Sequence, residues 1–87
     1  MVWTLEFAGR ARKQFRKLDH VEADRILRVF DEISKLDDPF SRGHGLTGPL
    51  TGLWRFRVSD WRVIARVEQE RLVILVLEVG HRREIYE

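Results

Sequence analysis

The run Arg71 to Val79, RLVILVLEV, is apolar at adjacent as well as alternate positions along most of its length. Side chains of a strand alternate between the two faces of a sheet, so such a run needs cover on both sides and predicts a central strand. A central strand requires neighbours. Leu53 to Val58 and Trp61 to Val67, just before it, have the composition of strands that place one face on a core and the other in water. Val2 to Phe7, VWTLEF, is a further strand-forming run near the start of the chain.

Between these runs the period changes. Ala8, Ala11, Phe15 and Leu18 lie three and four residues apart, which aligns them on one helical face, and Arg10, Arg12, Lys13, Arg16 and Lys17 cover the remainder. Asp19 is placed to cap a second helix, with Glu22 completing a capping-box-like pattern. Val21, Ile26, Phe30 and Ile33 give that helix its apolar stripe, widened by Leu27, Val29 and Leu36. Asp38-Pro39 ends it, because a proline ring disfavours helical geometry in the preceding residue. Ser41 to Gly52, SRGHGLTGPLTG, reads as a loop, and it lacks the lysine and following hydroxyl residue of a Walker phosphate cradle. The order β-α-α-β-β-β predicts an α+β fold, two N-terminal helices packed on a largely antiparallel sheet of about four strands. With no linker or internal repeat, residues 1–87 are expected to form a single domain.

Composition bounds the function. Hydrophobic residues at 44% suit a packed core rather than a disordered chain. The absence of cysteine removes disulfides, thiolate metal ligands and thiolate nucleophiles, and makes a cytoplasmic location the expectation. No stretch approaches the roughly 18 apolar residues of a membrane span, and MVWTLEFAGRARKQ has no signal-peptide core, so no membrane partner is expected. His20, His44 and His81 have no ligand spacing, so no metal and no cofactor is expected. Lysine occurs only at Lys13, Lys17 and Lys35, which leaves the positive charge largely to arginine, whose planar fork grips phosphate bidentately.

The placement of the arginines in Gly52 to Val67, GLWRFRVSDWRVIARV, is therefore informative. If Ser59-Asp60 is the turn of a hairpin, Val58 faces Trp61, Phe56 faces Val63 and Trp54 faces Ala65 on an apolar side. On the other side Arg57 lies opposite Arg62, Arg55 opposite Ile64 and Leu53 opposite Arg66. Like charges directly opposite cost up to about 1 kcal/mol. Either they splay into water or pair with Glu68, Glu70 or Glu78, or the face binds a polyanion whose charge offsets the cost. The ending VGHRREIYE adds His81, Arg82, Arg83 and Tyr86 beyond Gly80, which is expected to bend the chain. Imidazole and phenol supply proton chemistry that a permanently charged guanidinium lacks. Trp3 is expected in the core and Trp54 and Trp61 beneath the arginine face, while His44 reads as a solvated loop residue beside it.

Three segments together, LTGPLTGLWRFRV, SDWRVIARV and VGHRREIY, resemble the RelE/ParE toxin superfamily, and its RelE branch more than its ParE branch. The resemblance spans nearly the whole chain, with the specific motifs in the second half. It implies a toxin of a type II toxin–antitoxin pair that enters the ribosomal A site and cuts mRNA, with a cognate RelB-like antitoxin as its partner. The implied reaction is metal-free attack of a ribose 2′-hydroxyl on the adjacent phosphate. Carried over by position, the basic cluster falls on Arg55, Arg57 and Arg62, and the C-terminal pair on Arg82 and Tyr86. The expected catalytic set is Arg57, Arg62, Arg82, Tyr86 and His81, and the expected RNA contacts are Arg55, Arg66 and Arg83. Relatives often carry lysines in the strand cluster, where this chain has only arginine, which weakens any scheme that needs a basic side chain there to accept a proton. The alternative implied by the same superfamily is a ParE-like poison of DNA gyrase that acts by binding.

Overall fold

Ala8 is all that separates the first strand, Thr4–Phe7 (β1), from the first helix, Gly9–Arg16 (α1), in the computed structural model, which describes residues 2–84. The second helix, His20–Ser34 (α2), begins as the sequence predicts: Asp19 is the N-cap and its carboxylate accepts from the Val21 amide at 3.2 Å. Glu22 does not close a capping box. Its carboxylate turns to the sheet and accepts the Trp61 indole N–H at 2.5 Å, which ties the first turn of α2 to the fold. Val21 is accordingly off the buried stripe, 51% exposed, while Ile26, Phe30 and Ile33 are each 1% exposed.

The remaining strands are Gly43–Gly45 (β2), Trp54–Val58 (β3), Trp61–Glu68 (β4) and Val73–His81 (β5). They make one five-stranded sheet in the order β1-β5-β4-β3-β2, antiparallel throughout except that β1 runs parallel to β5. The fifth strand is β2, which lies inside the stretch expected to be loop. Its glycines permit the pairing: a Cβ on Gly43 would sit 2.8 Å from the Phe56 ring. β5 is interior, as its apolar run requires, but Gly80 does not bend the chain and the strand continues to His81.

The core lies between the helices and one face of the sheet. Trp3, Ala11, Ile26, Phe30, Phe56, Val58, Val63, Ala65, Ile74, Val76 and Val79 are buried there, with Trp54 and Trp61 packed partly against them. Phe30 and Phe56 meet edge to face at 5.3 Å across that boundary. β1 is shorter than β5, and α1 takes over where it stops: the Gln14 side chain accepts from the Val79 amide at 2.7 Å, filling a ladder position that β1 does not reach. On the second face Ile64 and Val73 are also buried, and Leu50, Leu53, Ile64 and Leu77 line one shallow hollow, so the Gly48–Leu50 turn shields part of the sheet opposite the helices. Among the described residues no helix is long and apolar enough to cross a membrane.

Candidate functional site

The β3–β4 hairpin has the register that its alternation predicts: Trp54 pairs with Ala65, Arg55 with Ile64, Phe56 with Val63, Arg57 with Arg62 and Val58 with Trp61. Ser59 takes φ of 56°, the left-handed geometry at the first turn position that matches the twist of the strands. Leu53 and Arg66 lie beyond the ladder, whose last pair is Trp54 with Ala65. The period of two puts Phe56, Val58, Val63 and Ala65 in the core and Arg55, Arg57, Arg62 and Arg66 on the opposite face.

The arginines of that face are not equivalent. Arg57 and Arg66 are exposed, Arg55 is half-buried and Arg62 is only 6% exposed. The Arg62 guanidinium folds back on the turn, where Nη1 donates to the Ser59 and Trp61 carbonyls, each at 3.1 Å. Arg62 therefore braces the hairpin from beneath while Arg57, directly opposite, is presented to solvent. This asymmetry relieves the like-charge contact that the bare register implies.

Two further contacts fix the hairpin tip. Arg25 of α2 reaches the Ser59 hydroxyl at 3.4 Å, and the Arg82 amide donates to the Asp60 carbonyl at 2.8 Å. The Arg82 side chain also approaches the Asp60 carboxylate at 3.8 Å, so the segment after β5 is clasped to the arginine hairpin and Arg82 stands at its end. Arg83 is exposed in the following turn. Tyr86 lies outside the described residues.

His81 is not brought to the arginines. Because β5 runs straight through Gly80, the alternation that sets Gly80 opposite Arg62 sets His81 opposite Trp61, on the helix side of the sheet. Its ring meets the Trp61 indole edge to face at 5.6 Å, and Nδ1 accepts from the Arg83 amide at 3.2 Å. That acceptor role leaves the ring proton of the neutral imidazole on Nε2.

A different histidine shares the arginine face. β2 pairs antiparallel with β3, with Gly43 opposite Phe56, His44 opposite Arg55 and Gly45 opposite Trp54. His44 is thus an exposed strand residue beside Arg55, not a loop residue. The density of glycine and proline around it masks the strand. The one available signal was GHG itself, with a polar side chain between two residues small enough to lie on aromatic rings.

Comparison with known proteins bears on the family and the fold. The family described as the ParE toxin of type II toxin-antitoxin systems matches residues 5–86. Toxin RelG of Mycobacterium tuberculosis is 29% identical over 87 residues, 99% of this chain and 98% of that protein. The mRNA interferase toxin RelE of Escherichia coli is 30% identical over 89 aligned residues, 99% of this chain and 92% of that protein. In solved structures, the toxin–antitoxin complex RelBE2 of M. tuberculosis contains a chain that superposes with a TM-score of 0.85 at 25% identity, over 94% of this chain and 93% of that one. A basic hairpin face on a five-stranded sheet backed by two helices, and a family match along nearly its whole length, place this chain in the RelE/ParE superfamily of type II toxin–antitoxin toxins.

Proposed function

We propose that this toxin is a ribosome-dependent endoribonuclease that cleaves mRNA in the A site. The observation that carries the reading is the hairpin register, which sets Arg55, Arg57 and Arg66 on one face around a buried Arg62, with Arg82 clasped to the hairpin tip. Such a face suits an RNA backbone, and its fixed cations suit the extra negative charge that develops at a phosphate under attack. The likeness to E. coli RelE, whose name is mRNA interferase, supports the same substrate.

In the proposed reaction the 2′-hydroxyl oxygen bonds to the adjacent phosphorus, the bond from phosphorus to the 5′-oxygen breaks, and the products are a cyclic phosphate and a free 5′-hydroxyl. Arg55 seats the backbone. Arg57 stabilises the phosphorane-like transition state, and Arg62 acts through the turn it braces by holding Arg57 in register. Arg82 faces the departing 5′-oxygen, Arg66 and Arg83 add contacts to flanking phosphates, and Tyr86 orients the 2′-hydroxyl. His81, turned toward Trp61, serves the wall of the site rather than its chemistry. No metal enters this scheme. A RelB-like antitoxin is the proposed partner, by analogy with the M. tuberculosis and E. coli toxins solved in antitoxin complexes.

Primer-extension mapping of a defined mRNA on stalled ribosomes tests this. The antitoxin-free protein is expected to cut at the A-site codon only when ribosomes are present, and Arg57→Ala to slow cutting by about 100-fold or more, the usual effect of removing one transition-state charge partner. A folded protein that leaves the mRNA intact overturns the nuclease reading and makes gyrase inhibition the next assay.

A further inference from the structure

We infer that His44 is a catalytic residue of this toxin, the group that takes the proton from the attacking 2′-hydroxyl. The inference rests on the nuclease reading above, in which Tyr86 orients the 2′-hydroxyl, and supplies the proton acceptor that the arginine cluster lacks. Arginine stays protonated across the accessible pH range, so the cluster of Arg55, Arg57, Arg62 and Arg66 can stabilise charge but cannot accept a proton. Imidazole can.

Of the three histidines only His44 stands on this face. His81 is across the sheet against Trp61, and His20 is at the start of α2, 3.5 Å from the Asp19 carboxylate. His44 is the direct cross-strand partner of Arg55, and facing residues in an antiparallel pair hold their Cβ atoms about 4.5–5.5 Å apart. Its ring and the phosphate-seating guanidinium therefore reach the same nucleotide.

The position is built rather than incidental. Gly43 lies so close to the Phe56 ring that no larger residue fits without displacement, and Phe56 is 1% exposed. Gly45 lies on the Trp54 ring, which meets the Phe40 ring at a tilt with centroids 4.6 Å apart. β2 is thereby seated on the core by its backbone, and its single side chain is directed to the arginine face, where it is exposed to substrate. The charged groups about it are Arg55 opposite, Arg57 two residues further along β3 on the same face, and Arg42 two residues earlier on its own segment. Glu78, in the same cross-sheet row, is three strands away, about 14 Å at ordinary strand spacing, and is engaged by Arg10 at 2.9 Å.

His44 lies at the β2 side of the cluster and Arg82 at the hairpin tip, so a phosphate seated between Arg55 and Arg57 has the two on opposite flanks, as in-line displacement demands. Arg82 neutralises the 5′-oxygen as it leaves. The neutral His44 ring nitrogen takes the 2′-hydroxyl proton while the oxygen–phosphorus bond forms. The resulting imidazolium returns that proton to solvent, and the departing 5′-oxygen takes one from water, so protons balance.

The test is single-turnover cleavage on programmed ribosomes with wild-type protein, His44→Gln and His44→Ala, at pH values across the range in which imidazole titrates. Wild-type cleavage is expected to rise with pH to a plateau. His44→Gln is expected to fall by about 100-fold or more with that rise abolished, the usual contribution of a positioned general base. Free imidazole is expected to restore part of the His44→Ala rate, while ribosome binding by both variants stays within about threefold of wild type. Cleavage by His44→Gln within about threefold of wild type overturns the inference and leaves the nuclease reading standing. A slow variant that keeps the wild-type pH profile and ignores imidazole also overturns it, because His44 then only positions RNA. Absence of wild-type cleavage overturns the nuclease reading itself, and the inference falls with it.

Discussion

Arg57 and Arg62 are cross-strand partners of identical type, yet they should respond unequally to removal. Arg62 is 6% exposed and gives two N–H bonds to turn carbonyls at 3.1 Å, while Arg57 is exposed. Hydrogen bonds to a charged group contribute about 1.5–3 kcal/mol each where both ends are desolvated. The turn at Ser59 and Asp60 is exposed, so water recovers part of that loss, and relief of the like-charge contact returns up to about 1 kcal/mol more. Arg62→Ala is therefore expected to cost about 2 kcal/mol, which for a domain of this size lowers Tm by about 8–16 °C. Arg57→Ala, at an exposed site, is expected to stay within about 0.5 kcal/mol, a Tm change of about 4 °C at most in either direction. Thermal unfolding of the antitoxin-free protein, followed by the fluorescence of Trp3, Trp54 and Trp61, reads both. Equal losses for the two variants, or an Arg62→Ala protein as stable as wild type, would refute the division between a bracing and a presenting arginine.

Gly43→Ala should crowd the Phe56 ring, where the new Cβ would stand 2.8 Å from a ring carbon, and overpacking of this kind costs about 1–3 kcal/mol. The expected readouts are a lower Tm and faster amide exchange at the β2–β3 pairing, with β4 and β5 unaffected. Gln14→Ala should leave the Val79 amide without its 2.7 Å acceptor, at a cost of about 1–3 kcal/mol for an unsatisfied half-buried group. Its signature is accelerated exchange at that one amide, measured by NMR, and protection equal to wild type would show that another acceptor takes over.

The hairpin was legible in the sequence because a single face is buried. Phe56, Val58, Val63 and Ala65 could reach the core together in one register only, and the arginine positions followed without further information. The interior place of β5 was legible for a similar reason, since a run apolar on both faces has nowhere else to go. What alternation did not reveal was the fate of a long side chain after its Cβ: Arg57 and Arg62 look alike in the sequence, yet Arg62 folds back, buried, onto the turn carbonyls while Arg57 is exposed. Glu22 was misread for a comparable reason, because the capping box is a local rule and Trp61, 39 residues away, offered a better-placed donor. β2 was hidden because glycine carries no β-propensity, although here its small size is what lets the strand approach Phe56.

The continuation of β5 through Gly80 has the larger consequence for function. A bend at that glycine would have carried His81 round to the arginines, and the cluster would have had its proton carrier at the C-terminal end. Instead period two holds good to the end of the strand, and His81 is committed to Trp61, whose indole N–H is committed to Glu22 of α2. Among the described residues, what reaches the hairpin tip from the C-terminal side is a cation, Arg82 against Asp60. A fixed cation stabilises a departing oxygen without any change in protonation, so for the proposed reaction the described face is chemically lopsided: charge neutralisation gathers at the tip, and the imidazole on the face stands at the other flank, where β2 supplies His44. For the proposed cleavage, the short strand that the sequence conceals and the histidine that the fold turns away thus point the same way: among the described residues, the imidazole placed to give the rate a pH dependence is His44 at the start of the cross-strand row, not His81 at its C-terminal end.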